Sequence, residues 1–453
     1  MKQLLPIYYL FTLVFITQCT PNKTPQNKIY FGGEIVNPSS KYVLLFKDKK
    51  LIDSIALDTN NRFIYQFKNF QSGLYTFSHN EYQYLYLEPN DSLFLRVNTI
   101  DFDETLTFSG KGADKNNLLI RSFLMNEKDV KETHQLFNLS PKEFNQKTND
   151  DLDRRRIALD RYTTKYEFSE KFKAIVNTHI AYHIYALKER YAMVNKKKEG
   201  FSLPKNYYSF RENIDLNAEE LVHFYPYSNY LNTFISNITY HKNSCKNHLS
   251  TYTAKLKVID SLITNTTIKN SLFHKIGYSY FNKKDNTLNR NTFITTLSNH
   301  TNDKELTKQL TTLSNQLSKL SVGTPIPNFE IINLQNDSAA IQNLITTPTV
   351  LYFWSQKYPR HLKSVHKKVA QYQQKSNYKF IGICIDNTTS NWKTIATKFK
   401  LSNDYIIANS TDVTKKLMLY SIHKTFAIDK NGTILSSDLN LFDVQFEEKL
   451  KKL

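Results

Sequence analysis

Cys19, Cys245 and Cys384 are the only thiols in the chain, and no two of them have the Cys-x-x-Cys spacing that dithiol exchange requires. Cys384 lies in the apolar run KFIGICID, which predicts a buried small hydrophobe, and Cys245 lies in the polar turn HKNSCKNH. Both are expected as free thiols. His179 and His183 stand at i, i+4, the spacing of a helical zinc pair. Ile180 occupies the position where HExxH needs its glutamate, and no third ligand is marked, so a packed or surface pair is expected and no metal site. His361 and His366 do not share a helical face. Asp150, Asp151 and Asp153 are read as charges opening a helix, where the dipole favours them, and not as acid/base catalysts. Serines are abundant and none is marked as a nucleophile. With only 10 glycines the chain carries neither GxGxxG nor GxxxxGK[ST], which argues against a nucleotide cofactor. No catalytic residue and no cofactor is assigned.

A chain of 453 residues exceeds what one core supports and predicts two or three domains. Its Tyr (29) and Phe (30) supply material for sizeable cores. The net charge of +19 is spread along the chain singly or in short runs such as Lys196-Lys197-Lys198. Dispersed charge of this kind suits attraction to anionic surfaces, lipid head groups or envelope glycans, more than the clustered footprint of a nucleic-acid binder.

At the N-terminus, Met1-Lys2 precedes an almost wholly apolar run from Leu4 to Ile16, the length of a signal-peptide core and short for a membrane span. It ends in Ile16-Thr17-Gln18-Cys19, which resembles a bacterial lipobox, with Gln18 standing where most lipoboxes place a small residue. That resemblance implies lipidation at Cys19, a signal segment over residues 1–19 and a membrane partner reached through the lipid. Residues 20–28, rich in Pro, Asn, Lys and Thr, read as a tether. The body of the protein is therefore expected in the cell envelope, facing the periplasm or the exterior.

Residues 29–114 show period-two alternation broken by turn signals at Lys47-Asp48-Lys49-Lys50, Gly73 and Pro89-Asn90-Asp91, which predicts a small β-sandwich. Residues 115–320 carry helical spacing, including Ile175, His179, Tyr182 and Ala186, and the stripe Leu306, Leu310, Leu313, Leu317 and Leu320. Residues 321–453 return to apolar strand-like runs. One of them, Pro348–Trp354, leads into FWSQKYPRHLK, residues 353–363.

Gly323-Thr324-Pro325-Ile326-Pro327-Asn328-Phe329, the run Pro348–Trp354, KFIGICID, Trp392 with Ile395, and TFAIDKNGTIL (425–435) come in the order and spacing of exported thioredoxin-like proteins of the TlpA type, which this C-terminal part resembles. Ile52-Asp53-Ser54, Leu87–Ser92, and Phe108–Ala113 followed by Asn116-Asn117 resemble the N-terminal β domain that precedes thioredoxin-like domains in many exported lipoproteins. The resemblance implies a multidomain α+β protein with an N-terminal β-sandwich, a helical middle and a C-terminal thioredoxin-like α/β domain.

In redox-active relatives a nucleophilic cysteine sits at a helix N-terminus, and a second cysteine three residues on resolves the mixed disulfide. Aligned on Phe353-Trp354, those positions are Tyr358 and His361, and the position of the cis-proline that faces the cysteines falls on His423. A phenol titrates near pH ~10 and supports no thiol exchange, and imidazole has no equivalent two-electron couple. The expectation is a degenerate redoxin that binds an envelope protein or an anionic ligand. A cationic, aromatic-rimmed patch of Trp354, Tyr358, Arg360, His361, His423 and Lys424 would serve as its site. The rival readings are a thiol–disulfide oxidoreductase of the TlpA type, serving cell redox homeostasis, and a surface accessory for glycan or peptide handling.

Overall fold

A computed structural model describes residues 28–242, 247–281, 289–386, 391–419 and 421–453. Cys19 and Cys245, and with them the signal segment and most of the tether, lie outside the described residues. The architecture is the expected one: two strand-built sheets, then helices, then a mixed α/β domain. The chain divides into two compact units. One takes in the chain up to Ile214 together with Glu220–Phe234, and the other takes in Asp215–Glu219 and Ile235–Leu453. The helical stretch expected as one region is thus shared between them.

In the first unit, strands β1 (Tyr30–Val36), β2 (Tyr42–Lys47), β3 (Lys50–Ala56), β4 (Arg62–Gln66), β5 (Gly73–His79), β6 (Glu81–Leu87), β7 (Ser92–Asn98) and β8 (Thr107–Lys111) form two four-stranded sheets. Their orders are β4-β1-β7-β8 and β3-β2-β5-β6. Asp48 and Lys49 both take positive φ (49° and 63°), the geometry of a two-residue turn whose twist matches a hairpin. Gly73, expected in a turn, opens β5 instead. Alternation puts Leu93, Leu95 and Val97 of β7 into one core with Phe31, Phe63 and Phe77. Each such side chain contributes roughly 1.5–3 kcal/mol on burial. A short α1 (Phe102–Thr105) leads to the long helices α2 (Ala113–Phe137), α3 (Pro141–Tyr166) and α4 (Glu170–Asn195). Helix α3 starts well before the Asp150–Asp153 cluster, because Ser140 and Glu143 form a reciprocal capping box with Pro141 in the first turn. The aspartates therefore lie mid-helix, where Asp151 pairs with Arg154 and Arg155.

Helix α5 (Tyr225–Lys242) is followed by α6 (His248–Leu262), α7 (Thr266–Phe281), α8 (Arg290–Ser298) and α9 (Lys304–Ser318). The leucine stripe of α9 buries Leu306 and Leu310, with Leu320 just beyond the helix also buried. Leu320, with the partly buried Leu313 and Leu317, packs into the core of the sheet that follows.

That sheet has seven strands in the order β10-β9-β13-β12-β11-β14-β15. They are β9 (Glu330–Ile332), β10 (Ser338–Ala340), β11 (Thr349–Trp354), β12 (Lys379–Cys384), β13 (Asp404–Ile407), β14 (Thr425–Ile428) and β15 (Ile434–Leu439). All six residues of β11 are buried, as expected of a central strand covered on both faces. It pairs parallel to β12 and antiparallel to β14. Helices α10 (Pro359–Gln373), α11 (Trp392–Lys398), α12 (Ser410–Lys416) and α13 (Phe446–Lys451) complete the domain. Among the described residues no helix is long and apolar enough to cross a membrane.

Candidate functional site

The turn from β11 into α10 is set by one carboxylate. Asp386, just beyond β12, accepts hydrogen bonds from Ser355 Oγ and from the Gln356 amide at 2.7 Å, while Ser355 Oγ accepts from the Lys357 amide at 3.1 Å. The helix then opens with Tyr358 at its N-cap and Pro359 in its first turn, where the missing N–H costs nothing. Leu362, Val365 and Val369 bury one face of α10 and fix its rotation. His361 consequently faces the segment that precedes β14. Its ring lies 4.8 Å from the His423 ring, centroid to centroid, at 75°. Phe442 closes a triangle, 5.6 Å from His361 and 5.3 Å from His423. Both ring nitrogens of His361 are shut off from solvent with no hydrogen-bond partner among the described residues. Desolvation, reinforced by His423 and His366, lowers its pKa to about 4, so the ring is neutral at pH 7.

The expected patch is thus assembled in part. His361 and His423, 62 positions apart, meet. Tyr358 (54% exposed) and Arg360 stand in solvent at the start of α10. Lys424 turns the other way: its ammonium donates to the Leu417 carbonyl at 2.9 Å, just past the end of α12, and lies over the Phe426 ring. Trp354 is fully buried, its indole N–H donating to Asp404 at 2.6 Å, so it forms the floor of the domain and not a ligand-facing wall. With Lys424 turned away and His361 neutral, the surface is aromatic and imidazole-lined, and of the expected patch the Arg360 guanidinium stands exposed beside it.

Beneath it lies a cluster the sequence did not reveal. Buried Asp404 accepts from Trp354, from the Tyr352 hydroxyl at 3.3 Å and from His366 Nε2 at 3.0 Å, and His366 Nδ1 donates to the Leu362 carbonyl at 2.8 Å. Both nitrogens of His366 are engaged, Nδ1 with its own helix and Nε2 with Asp404, so the ring ties α10 to β13. Gly382 makes room for it: a Cβ there would lie 1.9 Å from Asp404 Oδ1 and 2.6 Å from the Tyr352 hydroxyl. An aspartate opening the apolar run DYII was the available signal.

Cys384, on β12 opposite Trp354, is fully buried, and its pKa is pushed up by burial first, with the carboxylates of Asp386 and Asp404 adding to it. It is a structural thiol by environment. His179 is also buried, its ring against Phe224 and its Nδ1 facing the Asn126 amide, while His183 pairs with Asp129 at 3.1 Å. The two histidines therefore serve packing between α2 and α4. Among the described residues no group of three or more His, Cys, Asp or Glu side chains converges to hold a metal ion.

Comparison with known families places residues 322–437 in similarity to the AhpC/TSA family. No curated protein matches the chain. Among solved structures, the thioredoxin domain of a thiol-disulfide oxidoreductase from Bacteroides vulgatus is 16% identical, covers 29% of this chain and 97% of its own, and has a TM-score of 0.25. A thioredoxin-like protein from Bacteroides caccae is 14% identical over 58% of this chain and 94% of its own, with a TM-score of 0.36. A thiol-disulfide oxidoreductase from Bacteroides fragilis is 19% identical over 28% and 98%, with a TM-score of 0.24. The C-terminal domain is thioredoxin-like.

Proposed function

We propose that this protein is an envelope-anchored lipoprotein of the TlpA type whose thioredoxin-like domain binds a partner and does no thiol chemistry. The observation that carries the reading is the His361–His423–Phe442 triangle, which occupies the place where the resemblance puts a dithiol and a cis-proline. A neutral imidazole beside an aromatic ring suits an amphipathic protein segment better than a simple anion, and the inward turn of Lys424 favours the same choice. The test is insulin reduction by dithiothreitol. No catalysed turnover is expected, and turnover that disappears on Cys384→Ser would overturn the reading.

The rival reading, a thiol–disulfide oxidoreductase, draws support from the AhpC/TSA similarity of residues 322–437. It needs an accessible thiolate, and Cys384 is buried with its pKa raised. The anchor is tested separately: Cys19→Ala is expected to release the protein from the membrane fraction, and retention there would replace the lipid anchor with an uncleaved segment.

A further inference from the structure

The deeply buried cations of the first unit invite comparison. Lys115 meets the carboxylates of Glu88 and Asp91, each at 2.7 Å. Arg155 meets Asp129 at 2.6 Å and Asp151 at 2.8 Å. Lys188 is as buried as either, at 4% exposure, yet its ammonium meets no carboxylate within ion-pair distance among the described residues. Its acceptors are the neutral side-chain amides of Asn145, at 3.0 Å, and Asn149. An ammonium has three donors; beyond the two asparagines it meets only the ring faces of Tyr207 at 5.9 Å and Phe210 at 5.6 Å, so one N–H has no oxygen acceptor among the described residues. Leaving a buried cation without a counter-charge is costly unless something else supplies the charge.

Lys188 lines a cavity of about 350 Å3. Helix α3 presents Asn145, Asn149, Asp153 and Arg156 to it along one face, α4 adds Tyr185 and Lys188, and the helical turn at residues 209–213 closes it with Glu212. Arg156 donates to the Tyr185 hydroxyl at 3.2 Å, which fixes a second cation in the same wall. The charges are ordered by depth: Lys188 is buried, Arg156 is half-buried, and Asp153 and Glu212 are exposed. A ligand that matches this order carries an anion at its inner end and a cation at its outer end.

We propose that this cavity binds a small carboxylate of the free amino-acid type, its carboxylate on the open N–H of Lys188 and its ammonium toward Asp153 and Glu212. The cavity volume admits such a molecule, and the two asparagines hold the lysine in place without neutralising it. Burial lowers the Lys188 pKa to about 8, with Asp153 opposing the shift, so the ammonium is the majority form at neutral pH. Nothing in this site depends on the thioredoxin-like domain.

The test is binding of the twenty free amino acids, each at millimolar concentration, to the whole protein by thermal shift and then calorimetry. At least one is expected to raise the midpoint, and its α-carboxamide to raise it not at all. Lys188→Met is expected to weaken binding of that amino acid by about tenfold or more, the worth of a charge-assisted hydrogen bond. No response to any free amino acid, equal binding of the α-carboxamide, or an unchanged Kd in Lys188→Met would each overturn the proposal. Should Lys188→Met fail to fold, the wild-type pH profile decides. Affinity for the deaminated acid of the same skeleton is expected to be level below about pH 7 and to fall above about pH 8, as Lys188 loses its proton. A profile flat to pH 9 would overturn it.

Discussion

His361 and His179 are both held neutral, and each makes a prediction about acid. His361 has its pKa lowered to about 4 by desolvation and by its histidine neighbours, and His179 to about 3 by burial, His183 and Arg155. In both cases the unfolded chain takes up a proton near pH 6.5 while the folded chain refuses it. The stabilising difference is therefore complete above pH 6.5 and is lost as pH falls through the folded pKa. Denaturant melts at pH 7 and pH 5 should show a lower midpoint at pH 5. His361→Phe, which keeps the contacts with Phe442 and removes the titration, should flatten part of that slope. An undiminished slope would place the acid sensitivity elsewhere. Cys384 makes the complementary prediction for thiols. In protein carrying Cys19→Ser and Cys245→Ser, Ellman's reagent should react only after denaturant is added, and prompt reaction in the native state would reveal an accessible thiol.

Helix α10 is anchored at both ends of its first two turns, by Asp386 through the turn before it and by Asp404 through His366. Asp404→Asn would take away the buried carboxylate on which Trp354, Tyr352 and His366 converge, and a loss of roughly 3 kcal/mol is expected in chemical denaturation. His366→Leu combined with Asp404→Asn should recover part of that loss, because no imidazole nitrogen is then buried without a partner. A double variant whose loss equals the sum of the two single losses would show that the pair is uncoupled. The strands that carry this helix were legible because they obey short-range rules: β11 and β12 are unbroken apolar runs, and the TFAIDKNGTIL hairpin turns at Gly432, where φ is 83°. The start of α3 was equally legible in Ser140-Pro141-Lys142-Glu143, but the Asp150–Asp153 cluster drew the boundary instead. The Asp404 cluster spans 38 to 52 positions along the chain and obeys no local rule. The meeting of His361 with His423 was reachable only through the resemblance to a known fold. The withdrawal of Lys424 was not, since a lysine's head goes wherever the nearest carbonyls lie.

At the scale of the whole chain, 60 Lys and Arg oppose 41 Asp and Glu, and the excess has to be placed somewhere. The interior of the first unit absorbs little of it: Lys115 and Arg155 are matched by carboxylates, and Lys188, held by two asparagines, is the exception. The surplus is carried by side chains such as Lys128, Lys131, Arg154 and Lys451, each mostly exposed even where it pairs within a helix turn. Exposed pairs of this kind contribute little to stability, so this charge acts at a distance instead. A protein so covered should associate weakly with vesicles containing phosphatidylglycerol and not with phosphatidylcholine alone. The association should fade as salt rises from about 0.05 M to about 0.5 M, where the screening length shrinks to a few ångströms. Cosedimentation of the Cys19→Ala protein measures this without the proposed lipid anchor. Because the charge is dispersed, replacing Lys196, Lys197 and Lys198 together by Gln should lower the bound fraction only slightly. Loss of binding on that one replacement would mean a local lipid site, and binding indifferent to salt would mean that apolar contacts, not charge, hold the protein to the surface.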